Sequence, residues 1–388
     1  MNLLLFGVSP DISLAEATAL YGEKTESINK QTALIRTAID FKRIGGSFAA
    51  AKLIKKVDSN NWQQILQELE SVIRYEIKPN SKTNLGISIY GLSPKNYRAD
   101  LINLKKKLRA AEYKIRVVFP QAGTELSSAQ IIHNGLATDQ LGLVVSVASN
   151  KAYIGRTRDV QNIESYTLRD RGRPKRDAKV GMLPPKLAQI MLNLANPSPN
   201  STVLDPFCGT GVVLQEALLM GFSAIGGDID SRMVEYTQTN LDWGRRQFEF
   251  SGNFKVSLGD ATKTKWKVPI DAVVSEIDLG PPHFNMPPIL EIKKLQKDAD
   301  KLIGDLLENL ADQLEPGTPL CLAIPAWSYK DKFLGPEIAN PGTGVDRLHS
   351  LGYNRKRLPG ASNELYYAPH GQIVARKLLI LERFNNGA

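Results

Sequence analysis

The chain has 388 residues, of which 42% are hydrophobic and 23% charged, a composition that excludes disordered and collagen-like proteins. No apolar run approaches the ~18 residues of a membrane span, and two cysteines cannot build a disulfide framework or a cysteine-based zinc site. We therefore expect a cytoplasmic protein that needs neither membrane nor metal. The net charge of +9 is uneven, because residues 1–186 carry +12 and residues 187–388 carry −3. This distribution favours an N-terminal part that binds a polyanion, followed by a separate functional domain. Lysine-rich surfaces are also common in proteins that bind no polyanion.

Residues 1–80 predict a small ferredoxin-like unit. Its first strand is expected over Asn2–Val8. Ser13, with Glu16 three residues later, predicts a capping box at the start of a helix. A glycine pair then predicts a turn into a second helix over Phe48–Ile54.

Residues 81–154 predict a second small α/β unit. Alternating apolar residues indicate a strand over Leu85–Tyr90, followed by a helix over Asp100–Glu112 and a hairpin over Leu141–Ile154. The next segment, residues 155–182, is rich in arginine, aspartate and glycine, and we interpret it as an ordered linker.

From residue 183 onwards, predicted strands and helices alternate. Apolar runs predict strands over 202–205, 223–228, 255–258, 272–276 and 320–324, each separated from the next by a helix or a short loop. A final pair of strands is expected near the carboxyl terminus. This order predicts an α/β domain with a doubly wound, mainly parallel sheet over residues 183–388.

The segment VLDPFCGTG at residues 203–211 joins a predicted strand to a predicted helix. Gly209 and Gly211 let the backbone approach a ligand closely, and a helix N-terminus offers free N–H groups to an anion. The loop lacks the third glycine of a dinucleotide fingerprint, and Asp205 would repel a phosphate. An acid at that place suits an ammonium group, and the helix N-terminus suits a carboxylate. S-adenosylmethionine carries both groups, so the loop predicts a site for this cofactor rather than for NAD.

Acids also end the next two predicted strands. Asp228, about 20 residues after the loop, is placed to bind ribose hydroxyls, and Asp260 is placed near an adenine amino group. Any one of these acids could instead cap a helix, but three in succession favour the cofactor. The predicted cofactor-binding residues are Asp205, Pro206, Phe207, Gly209, Thr210, Gly211, Asp228, Ile229, Asp260 and Ala261.

These motifs resemble those of class I methyltransferases. The preceding stretch, YTLRD…RP…RD…GMLPPKLA at 166–188, and the N-terminal FGVSPDISLAEATAL and FKRIGGSFAAAKLI resemble the THUMP-containing tRNA guanosine-10 N2-methyltransferase family. The closing YYAPHGQIVARKLLILER is similar as well. The resemblance implies a Rossmann-like domain with a seven-stranded sheet and a closing antiparallel hairpin, and a THUMP-like RNA-binding unit before it.

One loop departs from the family pattern. Nucleobase amino-methyltransferases carry Asp/Asn-Pro-Pro-aromatic after the fourth strand, where the acid or amide accepts the amine's N–H bonds and the ring stacks on the flipped-out base. This chain reads SEIDLGPPHF at 275–284. Aligned on the strand, Glu276 takes the place of the acid. A shifted alignment uses Asp278 as the acid, Pro281-Pro282 as the rigid pair and Phe284 as the ring, and both alignments stay open.

Basic side chains supply candidate RNA contacts, because a THUMP-like module is expected to bind tRNA by its shape and phosphates. The candidates are Lys105, Lys106, Lys107, Arg109, Arg169, Arg173 and Arg176. For the lysine-rich helix the alternative is a solvated face. The three arginines of the linker could equally tie it to the catalytic domain through Asp170 and Asp177.

The resemblance implies S-adenosylmethionine-dependent methylation of an exocyclic guanine amine in tRNA, at guanosine-10, without a metal. The altered loop keeps two alternatives open. One is an RNA-binding protein with a cofactor pocket but no catalysis, and the other is a methyltransferase of a different RNA such as ribosomal RNA. A small activator protein as an additional partner also stays open.

Overall fold

A computed structural model describes residues 1–177, 182–250, 252–283, 285–330, 332–339, 347–369 and 371–385. The chain divides into an N-terminal unit, Met1–Asn162, and a C-terminal unit, Ile163–Ala388. The N-terminal unit carries a net charge of +8 and the C-terminal unit +1. None of the helices in the described stretches combines the length and the apolar character needed to cross a membrane.

One sheet runs through the whole N-terminal unit. Its strands are β1 (Asn2–Phe6), β2 (Thr25–Asn29), β3 (Thr32–Ile35), β4 (Ser47–Val57), β5 (Lys82–Tyr90), β6 (Lys114–Val118), β7 (Leu141–Ala148) and β8 (Lys151–Val160). They lie in the order β2-β3-β1-β4-β8-β7-β5-β6. Antiparallel pairing of β4 with β8 joins the two units that the sequence predicted separately over 1–80 and 81–154. The structure therefore has one compact N-terminal unit where we expected two.

Four helices accompany this sheet: α1 (Pro10–Tyr21), α2 (Trp62–Glu76), α3 (Tyr97–Ala110) and α4 (Ser128–His133). The apolar sides of α2 and α3 share one core with β5 and β7, with Leu69 and Leu104 among its buried residues. This packing turns the basic side of α3 outward, because lysines and leucines alternate with helical spacing along it.

The predicted helix over Phe48–Ile54 is wrong. These residues belong to β4, which pairs with β1 on one side and β8 on the other. Ala49, Ala50 and Ala51 have a high intrinsic helix propensity, but they are buried in the sheet. Pairing with two neighbouring strands outweighs the few tenths of a kcal/mol per residue that propensity contributes.

The predicted capping box is also wrong. Helix α1 begins at Pro10, so Ser13 and Glu16 lie inside it. The Glu16 carboxylate accepts hydrogen bonds from the backbone N–H of Gly45 and Gly46 at 2.9 and 2.7 Å. Ser13 Oγ donates to the Gly46 carbonyl at 2.7 Å. Both side chains therefore form hydrogen bonds with the backbone of a distant loop rather than with the N-terminal N–H groups of their own helix.

The described residues of the C-terminal unit form a sheet of nine strands. Its strands are β9 (Thr202–Asp205), β10 (Ser223–Asp228), β11 (Phe254–Leu258), β12 (Ala272–Glu276), β13 (Pro319–Tyr329), β14 (Lys332–Leu334), β15 (Tyr353–Arg355), β16 (Leu365–Tyr367) and β17 (Val374–Arg383). Seven lie in the order β11-β10-β9-β12-β13-β17-β15, with β14 beside β13 and β16 beside β17. The strands β9 to β13 are parallel to their neighbours, whereas β17 runs antiparallel to β13. The predicted doubly wound sheet with closing antiparallel strands is confirmed.

The helices of this unit are α5 (Ile163–Arg171), α6 (Pro185–Ala195), α7 (Val212–Leu219), α8 (Ser231–Phe248), α9 (Ile289–Ala311) and α10 (Arg347–Ser350). Strand order reverses at β9, which has β10 on one side and β12 on the other. A crevice opens at such a point beyond the carboxyl ends of the strands, and ligands of open α/β sheets bind there. The loops after β9, β10 and β12 therefore form the candidate site.

The predicted linker over 155–182 is divided between the units. Residues up to Val160 continue β8, and α5 belongs to the C-terminal unit. The part at 178–181 lies outside the described residues.

Candidate functional site

The loop between β9 and α7 is shaped by two glycines with positive φ. Gly209 has φ of 50° and Gly211 has φ of 83°. A Cβ on Gly211 would lie 2.9 Å from Thr237 Cγ2, so close packing against α8 requires glycine there. A Cβ on Gly209 would meet no atom within 4 Å. Space is therefore open above Gly209, as a ligand-binding loop needs.

Hydrogen bonds from β10 and α8 hold this loop in place. Gly209 N–H donates to Asp228 Oδ2 at 2.9 Å, and its carbonyl accepts from Thr237 Oγ1 at 2.7 Å. The Thr210 carbonyl accepts from Asn240 Nδ2 at 2.9 Å. Sequence reasoning missed Thr237 and Asn240. The available signal was their polarity three residues apart on the buried side of an amphipathic helix.

Asp205 ends β9 and is only 2% exposed. Its Oδ1 accepts a hydrogen bond from Ser275 Oγ on β12 at 2.5 Å and another from Phe207 N–H at 3.2 Å. Burial raises the pKa of Asp205 to about 7, and these two hydrogen bonds only partly oppose the rise. Sequence reasoning missed Ser275, a lone polar residue in an apolar strand.

Asp228 ends β10 at a partly exposed position. Besides Gly209, it accepts a hydrogen bond from Asp230 N–H through Oδ1 at 2.9 Å. The next residue, Ile229, is 74% exposed, and Leu258, paired in register with Asp228, is 60% exposed. An acid therefore lies beside two apolar side chains at this edge of the sheet.

Asp260 closes its own turn. Its Oδ1 accepts from Thr262 Oγ1 at 2.7 Å and from Thr262 N–H at 2.9 Å, and Lys263 Nζ lies 2.9 Å from Oδ2. The Thr262 hydroxyl contributes most to lowering the pKa of Asp260 to about 2. The Asp260 carboxylate thus forms hydrogen bonds within the turn that follows it, where the described residues include no helix to cap, and its contact with adenine stays a prediction. Ala261 beside it is buried in the core.

The loop after β12 separates its two candidate acids. Glu276 is partly buried, with 16% of its side chain exposed, and its Oε1 accepts a hydrogen bond from Nε of the buried Arg376 on β17. Burial raises the pKa of Glu276, an effect that Arg376 opposes. Asp278 is exposed, and its Oδ1 accepts from Gly280 N–H at 3.0 Å, at a glycine with φ of 80°. Phe284, the predicted stacking ring, lies outside the described residues.

Residues 173–281 match the family model of the RMKL-like methyltransferase domain. Two relatives, each named tRNA (guanine(10)-N2)-dimethyltransferase, are similar over part of their length. The protein of Methanothermobacter thermautotrophicus is 35% identical over 145 residues, which are 37% of this chain and 39% of the relative. The protein of Methanocaldococcus jannaschii is 40% identical over 98 residues, 25% of this chain and 28% of the relative. The matches thus span less than half of these curated relatives.

Solved structures resemble the chain over nearly its whole length. TrmN from Thermus thermophilus has a TM-score of 0.54 at 18% identity, covering 99% of this chain and 100% of that one. A possible methylase from Clostridium difficile 630 has a TM-score of 0.53 at 12% identity, covering 100% and 98%. At these identities the likeness concerns the fold, and it agrees with the family match. The C-terminal unit has the fold of a class I methyltransferase domain, and the family match lies within it. S-adenosylmethionine is the methyl donor of such a domain.

Two arginines predicted as RNA contacts lie in the C-terminal unit. Arg169 of α5 forms a buried ion pair with Glu216 of α7. Arg173 donates through Nη1 to the carbonyl of Thr210 at 3.3 Å and to its Oγ1 at 3.1 Å. Burial lowers the pKa of Arg173 to about 10, so it remains charged at neutral pH. The described contacts thus tie Arg169 to α7 and Arg173 to the loop between β9 and α7 (residues 206–211, the donor loop), with Glu216 and Thr210 as partners in place of the expected Asp170 and Asp177. Arg176 is exposed, and contact of the three arginines with RNA stays a prediction.

The basic candidates on α3 are outside the methyltransferase domain, in the N-terminal unit. Lys106 and Arg109 are exposed, and Lys105 is half-buried. Lys107 Nζ lies 2.6 Å from Glu70 Oε2. Lys114 and Arg116 on the edge strand β6 are exposed as well. An accessible basic surface is therefore present on α3 and β6. Of the four basic residues predicted on α3, Lys107 already forms an ion pair with Glu70.

The ion pair of the methyltransferase domain predicts a stability effect. Glu276→Ala leaves Arg376, only 4% exposed, without its carboxylate, and we expect a loss of ~3–5 kcal/mol in the free energy of unfolding. Urea unfolding followed by far-UV circular dichroism measures it. Replacing both partners by methionine should recover most of the loss, because neither charge is then buried. A single variant that loses less than ~1 kcal/mol would contradict the assigned pair.

Proposed function

We propose that this chain methylates the exocyclic N2 amine of guanosine-10 in tRNA, with S-adenosylmethionine as donor. The observation that carries the proposal is the donor loop at the strand-order switch of a methyltransferase domain, in a chain similar to two relatives named for this reaction. S-adenosylmethionine, when bound, supplies a methyl group that is electrophilic because it is attached to a sulfonium.

The residues of the loop region fit this donor. Gly209 leaves room for it above the loop. Asp228 offers carboxylate oxygens to ribose hydroxyls at the end of β10, and Ile229 and Leu258 offer exposed apolar surface to a purine. Asp205 offers a buried carboxyl group to the donor's ammonium. Since the Asp260 carboxylate already forms hydrogen bonds with Thr262 and Lys263, its part in binding adenine requires that Lys263 move aside.

The loop after β12, where this chain departs from the family pattern, retains one accessible acid. Among the described residues, only one oxygen of Asp278 has a hydrogen-bond partner, which leaves Oδ2 to accept an N–H of the guanine amine. Accepting this bond concentrates the lone pair on nitrogen and favours its attack on the methyl group. Glu276 is held by Arg376, so we assign it the support of the loop rather than contact with the base.

The N-terminal unit is proposed to bind the tRNA. Its charge of +8 against +1 for the methyltransferase domain supports this division of labour. Lys105, Lys106 and Arg109 on α3, with Lys114 and Arg116 on β6, are the proposed phosphate contacts. Lys107 joins them only if it leaves Glu70.

Donor binding is expected to depend on pH through Asp205. Because the pKa of Asp205 is raised to about 7, the carboxyl is protonated below that pH and cannot pair with an ammonium group. We expect affinity for S-adenosylhomocysteine to rise through pH 7 and to fall about tenfold per pH unit below it. Calorimetric titrations between about pH 5.5 and pH 8.5 measure this profile. Asp205→Asn should bind weakly with a flat profile, and an equally steep profile in that variant would disprove the assignment.

Transfer of labelled methyl groups to unmodified tRNA tests the proposal. The full chain is incubated with labelled S-adenosylmethionine and a tRNA transcript, and nucleosides are then separated and identified by mass. We expect N2-methylguanosine or its dimethyl form, and none when guanosine-10 is replaced by adenosine. Another methylated nucleoside would move the reaction to a different target. Donor binding without any transfer would favour an RNA-binding protein that has lost catalysis.

A further inference from the structure

The loop after β12 has no aromatic residue where the family pattern places one. Aligned on the strand, Leu279 stands at the position of the ring and directly follows the exposed Asp278. A ring at this position stacks on the target base once the base has left its helix, since every base offers a π-face for such a contact. In this alignment a stacking ring has to come from another element.

Tyr367 is the last residue of β16, at the edge of the sheet where β12 also ends. Strand β17 runs antiparallel to both β13 and β16, and β13 is parallel to β12, so β16 is parallel to β12. The carboxyl ends of β12 and β16 therefore lie at the same edge, where ligands of open α/β sheets bind. Tyr367 is half-buried, and part of its side chain is accessible.

The pairing register puts Tyr367 on the same face of the sheet as Glu276. Glu276 pairs with Ala323 on β13, which pairs in turn with Leu378 on β17. Arg376 precedes Leu378 by two residues, and Tyr367 pairs with Arg376. Paired residues share a face and side chains alternate along a strand. Arg376 and Tyr367 therefore lie on the face of Glu276, one step further toward the carboxyl edge, as the ion pair between Arg376 and Glu276 also requires.

Charged neighbours relate the Tyr367 phenol to the donor loop as well. Burial raises the pKa of Tyr367, and the charges of Arg376 and Asp170 act on the same phenol in opposite directions. Asp170 also acts on Arg173, whose Nη1 donates to Thr210 Oγ1 of the donor loop at 3.1 Å. The phenol thus lies within electrostatic range of groups that border both the donor loop and the end of β12.

The neighbouring Tyr366 has a different environment. It projects to the opposite face, where its ring stacks on Phe333 with 4.5 Å between centroids and its hydroxyl donates to Glu364 Oε2 at 2.9 Å. Tyr367 forms no side-chain hydrogen bond and no ring contact within the described stretches of the chain. Its ring is therefore the one of this pair that remains available to a ligand.

We propose that the flipped-out guanine stacks on Tyr367, which replaces the ring that the loop after β12 lacks at Leu279. Asp278 accepts an N–H of the amine while the Tyr367 ring covers one face of the base. Strands β12 and β16 are three strand spacings apart, ~14 Å, a distance that two side chains and an intervening base can span. The inference rests on the proposed methylation of a guanine in tRNA, and it assigns the target-binding ring of that reaction to β16.

Single-turnover transfer to subsaturating, unmodified tRNA tests Tyr367 in the full chain. Tyr367→Leu removes the ring, and we expect transfer to fall ~5- to 150-fold, the range that one base-stacking contact contributes. Tyr367→Phe keeps the ring and should stay within about threefold of the unaltered chain. Tyr366→Leu, the matched control on the opposite face, should do the same. Affinity for S-adenosylhomocysteine should change less than about twofold in every variant, because the ring contacts the target and not the donor.

A tRNA transcript with 2-aminopurine in place of guanosine-10 gives a readout that needs no transfer. Stacking on a ring quenches the fluorescence of this base, so its complex with Tyr367→Leu should be brighter than those with the unaltered chain and Tyr367→Phe. Tyr367→Met, with an unbranched apolar side chain, replaces Tyr367→Leu in both experiments if the latter fails to fold.

Normal transfer by Tyr367→Leu would overturn the inference, and so would equal losses in Tyr367→Leu and Tyr366→Leu, which indicate a structural effect. A loss in Phe284→Leu alone would overturn it in favour of the shifted alignment. If the unaltered chain bound this tRNA but transferred no methyl group, the proposed function would fail and fluorescence would decide the inference, with equal brightness overturning it. Absence of tRNA binding would overturn both.

Discussion

Asp278→Ala is expected to lower the rate of methyl transfer to tRNA by ~100- to 1000-fold, the loss seen when one transition-state hydrogen bond is removed. The reason is that Asp278 is the accessible acid of the loop after β12, with Oδ2 free among the described residues to accept an amine N–H. Single-turnover transfer to unmodified tRNA measures the rate.

Two controls separate chemistry from binding in that experiment. Affinity for S-adenosylhomocysteine should stay within about twofold in Asp278→Ala, because Asp278 accepts from Gly280 N–H, and the described hydrogen bonds of Gly209 and Asp228 do not involve it. Asp278→Asn keeps one acceptor oxygen and should recover part of the rate. If Asp278→Ala transfers methyl groups at the normal rate while Glu276→Gln does not, the acid of the reaction is Glu276 and the alignment on the strand is the right one.

Asp228→Ala is expected to weaken binding of S-adenosylhomocysteine by ~100-fold or more. Two effects combine, since the variant loses the acceptor for the ribose hydroxyls and also the bond that Asp228 Oδ2 receives from Gly209 N–H at 2.9 Å. Hydrogen bonds to a charged group are worth ~1.5–3 kcal/mol each. Isothermal titration calorimetry gives the change directly.

Asp228→Asn is the matched control for this prediction. The amide keeps an oxygen that can accept from the backbone of the donor loop but has no charge and one acceptor fewer, so an intermediate affinity is expected. Thr237→Val removes the bond to the Gly209 carbonyl without touching the ribose site, and it should cost less than Asp228→Ala. Unchanged affinity in Asp228→Ala would remove Asp228 from the donor site.

The fold of the C-terminal unit could largely be predicted from its sequence. Parallel strands buried on both faces appear as short apolar runs, and an acid after each run marks the edge where ligands bind. Asp205, Gly209, Gly211 and Asp228 therefore fell at one end of the sheet as expected. Asp260 shows the limit of the pattern, since an acid after a strand caps a turn as readily as it binds a ligand.

The N-terminal unit was harder to predict because its sheet depends on pairing between distant strands. Strand β4 pairs with β8 about a hundred residues later in the chain, so no local pattern shows that 1–80 and 81–154 are one body. The alanines of β4 favour a helix in isolation, and only the neighbouring strands reverse that preference.

The sequence by itself determined the class of the protein: a doubly wound sheet, a glycine loop suited to S-adenosylmethionine, and a basic front. The tertiary structure decided which polar side chains are available to a substrate. It pairs Glu276 with Arg376, Arg169 with Glu216 and Glu16 with the Gly45-Gly46 backbone, and it leaves Asp278 exposed. The physical reason is that a buried charged group must find its partner in space, and these partners lie from 29 to 100 residues away along the chain.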